Sequence, residues 1–531
     1  MKSNSQRNVI TTLAFSGLLG VAPQAEAQKP GEKPNLVFVF CDQWRRQALG
    51  YMGEDPVFTP NLDKFASWSA SFDQALSCRP VSGPNRACLM TGKYPINNGV
   101  FGNSVPLDPT EDSSLGKSCK AAGYQTAYIG KWHLNGASDP ATDPSRRQGF
   151  DFWVQSIGHA PFSQKYYIAE SNSDVKPYQR GDWAPTYETD VAIDYIEKHK
   201  NNPFCVVISY NPPHTSGGLG FENRYLPGKS RNLKDRKYGY GYGGPKNYEK
   251  LYEDKDYAQH PIRGNIKTLR HSTDECFDAI PGYFGAITAI DNDFGKLMEY
   301  LEKNHLLENT IVIFTADHGE SMGSQGLMTK GTWFEESAGV PCIIGWKGKI
   351  KNQRRKEVFN SVDVMPTMLG VMGIPTPESA DGTDFSPVLF GKDFKAPEYA
   401  FLSFDYGGAL ESPRFWRAVR SERYMYVLCG MNQNRAFTKD GLVLYDLGKD
   451  PLQLSPIYKG MGYDKEIDKL HAVLVAQLKK NGDPFIKDYW NSEEKIEYPK
   501  VHKFNLSEND IQLIKAKRER EKRAEIKANT E

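Results

Sequence analysis

The chain has 531 residues, 39% of them hydrophobic and 25% charged, which suits a globular protein with a large core and two domains. A formal net charge of +1 argues against a general nucleic-acid binder. No segment beyond the N-terminus is apolar enough to span a membrane.

Lys2 and Arg7 precede an apolar run, Val9 to Ala22, and then Ala25-Glu26-Ala27. That order reads as a cleaved signal peptide over residues 1–27, handled by the export machinery and leaving a periplasmic or secreted protein. The first cysteine is Cys41, which argues against a lipid anchor. Removing Lys2, Arg7 and Glu26 takes the 66 basic and 65 acidic residues to 64 of each. Export permits disulfides, but the eight cysteines include no CxxC pair, and Cys41, Cys205 and Cys342 lie in apolar runs. Buried thiols are expected, and no zinc site.

Pro34 to Phe40 is a continuous apolar run, the pattern of a buried parallel strand, and it ends in Cys41-Asp42-Gln43. A helix is expected to start near Asn61. Ser82 to Gly92 reads as a short helix with Pro84 in its first turn and Gly92 ending it. Ser82 then sits at a helix N-terminus, which favours an anion, with Arg86 on the same face. Taken alone, the stretch fits a capped surface helix better. Leu115 to Ala122 reads as a helix and Gln125 to Ile129 as a strand, followed by Gly130-Lys131-Trp132-His133. The helix Glu188–Lys198 precedes a strand, Phe204 to Tyr210, that runs into Asn211-Pro212-Pro213-His214.

Residues 215–280 are rich in Gly, Tyr, Lys and Arg and weakly periodic, as in a functional or disordered insertion. Tyr283 to Asn304 is an amphipathic helix, and the strand Thr310–Thr315 leads into Asp317-His318-Gly319-Glu320. Another strand, Val340–Trp346, follows Lys330, and Asp363 to Gly373 is helical. From residue 396 four alternating segments, 399–405, 415–419, 424–428 and 443–447, and a helix over 464–481 read as a smaller α+β domain with antiparallel strands. A charged tail spans 507–531. The expected division is 1–27 signal peptide, 28–395 catalytic domain with the 215–280 insertion facing substrate, and 396–531 C-terminal subdomain.

Asp42, Lys131 with His133, His214, and Asp317 with His318 each lie just beyond a predicted strand. In open α/β sheets ligands bind at that edge. Each residue has a plain loop or turn explanation by itself, but their common placement does not. Asp42, Gln43 and Asp317 offer hard oxygen ligands suited to Ca²⁺ or Mg²⁺. Arg86, Lys131 and Lys330 are cations, and His133 and His214 can exchange protons near neutral pH. The set suits a tetrahedral anion such as sulfate or phosphate.

These motifs resemble those of the type I sulfatases, the arylsulfatase-like family of the alkaline phosphatase superfamily. The family's (Cys/Ser)-x-Pro-x-Arg motif stands as Ser82 to Arg86, followed by Thr91-Gly92. Its Gly-Lys-Trp-His is Gly130 to His133, its Pro-His is Pro213-His214, and its Asp-His-Gly-Glu is Asp317 to Glu320, with Lys330 beyond. Its Leu-Tyr-Asp-Leu-x-x-Asp-Pro signature is Leu444 to Pro451. Resemblance covers residues 33 to 480 or so. It implies an α/β fold: a large, mostly parallel central sheet flanked by helices, alkaline phosphatase-like, with the smaller C-terminal α+β domain.

The resemblance further implies that Ser82 is oxidised to formylglycine, whose hydrate attacks sulfur and later expels sulfate by collapsing back to the aldehyde. The serine form implies a radical sulfatase-maturating enzyme as partner and an anaerobic bacterial host. Asp42, Gln43, Asp317 and His318, with the modified Ser82, would hold Ca²⁺; Gln43 stands where the family usually has a second Asp, which lowers the negative charge of the site. Arg86 and Lys131 would steady the nucleophile and sulfate, His133 would assist breakdown of the diol, Lys330 would bind sulfate, and His214 would protonate the leaving oxygen.

An exported sulfatase of this kind points to a sulfated glycan substrate, with exo action on galactose- or N-acetylhexosamine-linked sulfate favoured. Tyr238, Tyr240, Tyr242 and Arg263 of the insertion, and Arg414-Phe415-Trp416-Arg417, are candidate contacts. Two rival readings remain: a phosphomono- or phosphodiesterase of the same superfamily, and a non-catalytic glycan-binding protein on a sulfatase scaffold.

Overall fold

The structure, a computed structural model, describes residues 33–136, 139–170, 176–179, 181–215, 241–255, 257, 262–266, 273–405, 416–429, 441–483 and 485. Its main sheet is built from β1 (Asn35–Asp42), β2 (Ala70–Leu76), β3 (Gln125–Lys131), β4 (Phe152–Ile157), β5 (Lys165–Glu170), β6 (Lys176–Gln179), β7 (Phe204–Pro213), β8 (Thr310–Ala316), β9 (Cys342–Trp346) and β10 (Gln353–Asn360). The ten strands lie in the order β10-β2-β9-β8-β1-β7-β3-β4-β5-β6. β8, β1, β7, β3 and β4 run parallel side by side. Every residue of β1, β7 and β8 is buried, as expected of strands covered by helices on both faces. β9 runs antiparallel to β2 and β8, and β5 antiparallel to β4 and β6, so the sheet is mixed toward its edges.

Helices pack on both faces. The 31-residue helix Thr273–Lys303 begins ahead of the expected Tyr283 and contains Pro281. Helix Ala184–His199 also starts earlier than expected, with Pro185 in its first turn. Helix Ser361–Met372 starts at a capping box: Asn360 caps from outside while the Asp363 side chain accepts from the Asn360 N–H. All eight cysteines are buried, and none is paired in a disulfide.

Beyond residue 396, β11 (Ala400–Phe404), β12 (Trp416–Arg420), β13 (Tyr424–Cys429) and β14 (Leu442–Asp446) form a four-stranded antiparallel meander. Its period-2 alternation divides the side chains between two cores. Leu402, Phe404, Trp416, Met425 and Val443 pack with Trp333 and Phe334 of the main body. Val419, Tyr426, Leu428 and Leu444 pack against Ile467, Leu470 and Leu474 of the helix Asp464–Lys480.

Candidate active site

The polar motifs meet because their strands are neighbours. Asp42 ends β1, Lys131 ends β3, His214 follows β7 and Asp317 follows β8, and these are four adjacent parallel strands in the order β8-β1-β7-β3. The chain leaves two of them through left-handed residues that are not glycine, Gln43 (φ 68°) and His133 (φ 62°). Gly130 is needed just before Lys131. At its φ of 105°, a Cβ would stand 2.1 Å from the Ser209 carbonyl oxygen of β7.

Helix Ser82–Thr91 is buried along its whole length and ends on Gly92 in the left-handed conformation, so Ser82 does begin a helix. The first turn nevertheless has few free donors. The Gly83 N–H donates to Asn103 Oδ1 (2.9 Å), Pro84 has none, and the Asn85 N–H closes on Val81 O (3.1 Å). Positive charge at this end therefore comes mainly from side chains rather than from orphan amides.

The two aspartates divide their oxygens between two tasks. Asp42 Oδ2 accepts from Lys131 Nζ and lies 3.3 Å from Arg86 Nη2, and Asp317 Oδ2 accepts from Arg86 Nε at 2.8 Å. The Oδ1 atoms face the other way. Asp42 Oδ1 is 3.2 Å from Ser82 Oγ and 3.3 Å from His318 Nε2, and His318 Nε2 is 3.1 Å from Ser82 Oγ and 3.6 Å from Asp317 Oδ1. His318 Nδ1 stands 2.9 Å from its neighbour's carbonyl, Gly319 O, which places the ring proton there and leaves a lone pair on Nε2. Asp42, Asp317 and His318, all fully buried, thus present ligand atoms within 4.8 Å of one another. Two donors meet these three atoms, the Ser82 hydroxyl and the Gln43 N–H, which reaches Asp317 Oδ1 at 3.1 Å, and the lone pairs left over suit a divalent cation.

Arg86 is the centre of the cationic side. Its Nη1 donates to Lys131 O (2.6 Å) and Ser209 Oγ (2.7 Å), and its guanidinium stacks over Phe40. Burial raises the Asp42 pKa, but the Lys131 ammonium, with the Arg86 guanidinium behind it, outweighs burial and holds the carboxyl well below its usual range. Burial pulls Lys131 below its ordinary value, against the attraction of Asp42 and with the help of Arg86.

Three imidazoles line the cationic side. Burial, then nearby cations, push His133 and His214 well below the usual imidazole range and His159 down to about 3, so all three are neutral near pH 7. His159, which belongs to no motif, lies in the loop after β4; its ring stacks on His214 (centroids 4.4 Å apart) and its Nδ1 is 2.9 Å from Asn211 Oδ1. Lys330 Nζ lies 2.6 Å from His214 Nε2 and 2.5 Å from Gln43 Oε1. Gln43 therefore contacts Lys330 through the amide oxygen expected to bind metal; that oxygen has two lone pairs, and the contact uses one.

Ser82, Arg86, Lys131, Asp42, Gln43, Asp317, His318, His214 and Lys330 are joined in one network, its two halves linked by the Gln43 N–H on Asp317 Oδ1 (3.1 Å), with His133 beside it, its backbone oxygen 3.4 Å from where a Gly83 Cβ would stand. The proposed sugar contacts fare differently. Tyr242 is buried, with its hydroxyl on Gln43 and Glu320, and Arg263 is buried in ion pairs with Glu336 (2.9 Å) and Glu54 (2.6 Å). Trp416 is fully buried, and Arg417 is spent on Asp405 and Asp483. These four are structural supports, because a buried charge must be paired and each cation already is. Tyr238, Tyr240, Arg414, Phe415, the signal segment and the charged tail lie outside the described residues. The Leu444–Pro451 signature serves the fold: Asp446 takes both Arg423 nitrogens and the backbone N–H groups of Lys449 and Asp450 close a turn on its carbonyl.

The family model described as Sulfatase matches residues 34–374, and the one described as N-sulphoglucosamine sulphohydrolase, C-terminal, matches residues 323–481. An ulvan-active sulfatase of Formosa agariphila is 32% identical over 505 residues, covering 92% of this chain and 90% of its own. An N-acetylglucosamine-6-O-sulfatase of Bacteroides thetaiotaomicron is 27% identical over 544 residues, covering 92% and 94%. A protein solved in complex with its substrate D-glucosamine-2-N,6-O-disulfate superposes with a TM-score of 0.68 at 26% identity, covering 85% of this chain and 99% of its own. With the motif residues gathered on one sheet edge, these matches establish that the chain belongs to the sulfatase family and is a sulfuric ester hydrolase.

Proposed function

We propose that the chain is an exported sulfatase that releases sulfate from glycan monoesters, with formylglycine made from Ser82 as its nucleophile and Ca²⁺ as its metal. The observation that carries this reading is the position of Ser82 Oγ, 3.2 Å from Asp42 Oδ1 and 3.1 Å from His318 Nε2, at the mouth of a cationic cluster. Once in place, Ca²⁺ would offset charge on the sulfate oxygens and the hydrated aldehyde would supply the nucleophile.

The chain's own residues do the rest. Asp42, Asp317 and His318, with the Gln43 amide oxygen, hold the metal. Arg86 and Lys131 sit across both aspartates and fix their Oδ2 atoms, which leaves Asp42 Oδ1 toward Ser82 and Asp317 Oδ1 toward His318 and the Gln43 N–H. Lys330 meets the sulfate oxygens. His133 is neutral and its Nδ1 has no hydrogen-bond partner among the described residues, which leaves that nitrogen open to a proton from the nucleophile. The His214–Lys330 pair holds the proton for the leaving oxygen. A glycan substrate is favoured by the relatives that act on N-acetylglucosamine-6-O-sulfate and D-glucosamine-2-N,6-O-disulfate. Export is favoured by the N-terminal charged, apolar and Ala-x-Ala order.

Two measurements test the reading. Mass analysis of the Ser82 peptide from protein made with a radical maturating enzyme should find the aldehyde in place of the alcohol. A panel of defined sulfated mono- and disaccharides, with phosphorylated counterparts, should release sulfate and not phosphate. Full turnover by protein with an unmodified Ser82 would sink the formylglycine assignment, and preferential phosphate release would make the chain a phosphoesterase.

A further inference from the structure

We propose that Glu320 is the positioning residue for Lys330, acting through the polarity of the Gln43 amide; this rests on the reading of Lys330 as the sulfate-binding cation. Glu320 is fully buried two residues past His318, and among the described residues it has no ion pair. Both its oxygens are nevertheless saturated. Oε1 accepts from the backbone N–H of Met322 (2.9 Å) and of Thr329 (2.6 Å). Oε2 accepts from the Gln43 amide nitrogen and from the Tyr242 hydroxyl.

Each side of that carboxylate leads to Lys330. The Oε1 side closes the loop between Glu320 and Lys330 across its base. This loop has no regular secondary structure, and Met322, Gln325 and Thr329 are left-handed at φ 42°, 56° and 66°, so local propensity does not hold it. Thr329, whose N–H is held, is the residue before Lys330. The Oε2 side sets the direction of the Gln43 amide. A carboxylate only accepts, so Gln43 must turn its nitrogen to Glu320 and its oxygen to Lys330 Nζ, 2.5 Å away. With the amide reversed, an N–H group would face the ammonium. Tyr242, 2.6 Å from the Gln43 nitrogen, is the partner that the insertion sends to this junction.

The test uses the full, metal-saturated enzyme and four variants: E320Q, Q43E, the double Q43E/E320Q, and K330A. In E320Q the amide oxygen still takes both loop N–H groups, while its nitrogen faces the Gln43 nitrogen donor and forces that amide to reverse. KM and the inhibition constant of inorganic sulfate should rise about tenfold or more, with the thermal midpoint little changed. In the double variant a carboxylate at position 43 accepts from the amide at position 320 and from Lys330, and Tyr242 can accept instead of donate. Sulfate affinity should return to within a few-fold of wild type, well above the product of the two single losses. The proposal is overturned if E320Q binds sulfate as wild type does, or if the double loses as much affinity as the product of the two single losses. An unfolded E320Q leaves the decision to the double, which must then fold and bind sulfate. K330A separates the two levels: unchanged sulfate inhibition there removes the reading of Lys330 itself, whatever E320Q does.

Discussion

Lys330 Nζ stands 2.6 Å from Nε2 of His214, while Nδ1 of the same ring is 2.9 Å from the Thr215 carbonyl oxygen. The ring donates its Nδ1–H to that carbonyl, so Nε2 carries a lone pair and the proton between the two residues belongs to the lysine. Burial and Lys330 together hold the ring well below its usual pKa, because a second ring proton would set two cations face to face. The pair therefore holds one transferable proton, and His214 is not an independent imidazolium acid. Replacing His214 with Ala should lower kcat on a sulfated sugar by about 10² to 10⁴, the usual worth of a proton donor to a poor leaving group. An aryl sulfate with an acidic phenol needs no such proton and should lose far less. Equal losses on the two substrates would remove His214 from proton delivery.

The Ser82 hydroxyl touches both the Asp42 carboxylate and the His318 imidazole, yet it is one small group in a helix buried on every side. Ser82→Ala should therefore separate activity from folding. Sulfate release should fall to background, while the lost hydroxyl contacts cost about 1 kcal/mol of stability. Circular dichroism and the unfolding midpoint check the second half of this expectation, and released sulfate the first.

Asp42 Oδ1, Asp317 Oδ1 and His318 Nε2 bring more lone pairs together than the Ser82 hydroxyl and the Gln43 N–H can satisfy. A chelator should abolish turnover and lower the unfolding midpoint, and added Ca²⁺ should restore both. Binding to the folded state alone contributes about 2.7 kcal/mol at a free ion concentration one hundred times Kd. Calorimetric titration of stripped protein reads this without any turnover, and a midpoint that ignores Ca²⁺ would count against the site.

The parts of this fold that are legible in the sequence are those where one physical demand acts alone. β1, β7 and β8 are buried on both faces, so no charged or amide side chain interrupts them between Leu36, Phe204 or Ile311 and the Asp42, Asn211 and Asp317 that end the runs. β2 and β10 escape notice because they mix Asp73, Gln74, Arg354, Lys356 and Glu357 into short strands toward the edge of the sheet. The motif residues are legible for a similar reason: chemistry fixes Ser82, Arg86 and His318 by type. His159 has no such mark, and reaches His214 only because β4, β3 and β7 are neighbours. Tyr242 reads as a surface aromatic in a glycine-rich run, and only packing brings its hydroxyl to Glu320, 78 residues away.

Glu335 offers a test of how the C-terminal sheet is held. Its carboxylate lies between Arg46 of the main body, at 3.0 Å, and Arg420 of β12, at 3.0 Å, and its side chain is 5% exposed. Burial alone would raise its pKa; Arg420 and Arg46 reverse that and hold it at about 2 instead of 4.5. A carboxyl depressed in the folded state contributes stability above its unfolded pKa and loses it as pH falls through the folded one. The contribution is thus complete above about pH 4.5 and gone below about pH 2, and it amounts to about 3 kcal/mol. Replacing Glu335 with Gln should remove about that much at pH 7, where it leaves both guanidinium groups without their counter-ion. It should also flatten the fall in stability between pH 4.5 and 2. Denaturant unfolding of both proteins at pH 7 and pH 3 measures the difference. If the gap between them stays constant with pH, the depressed carboxyl is not the source of the tie between β12 and the main body.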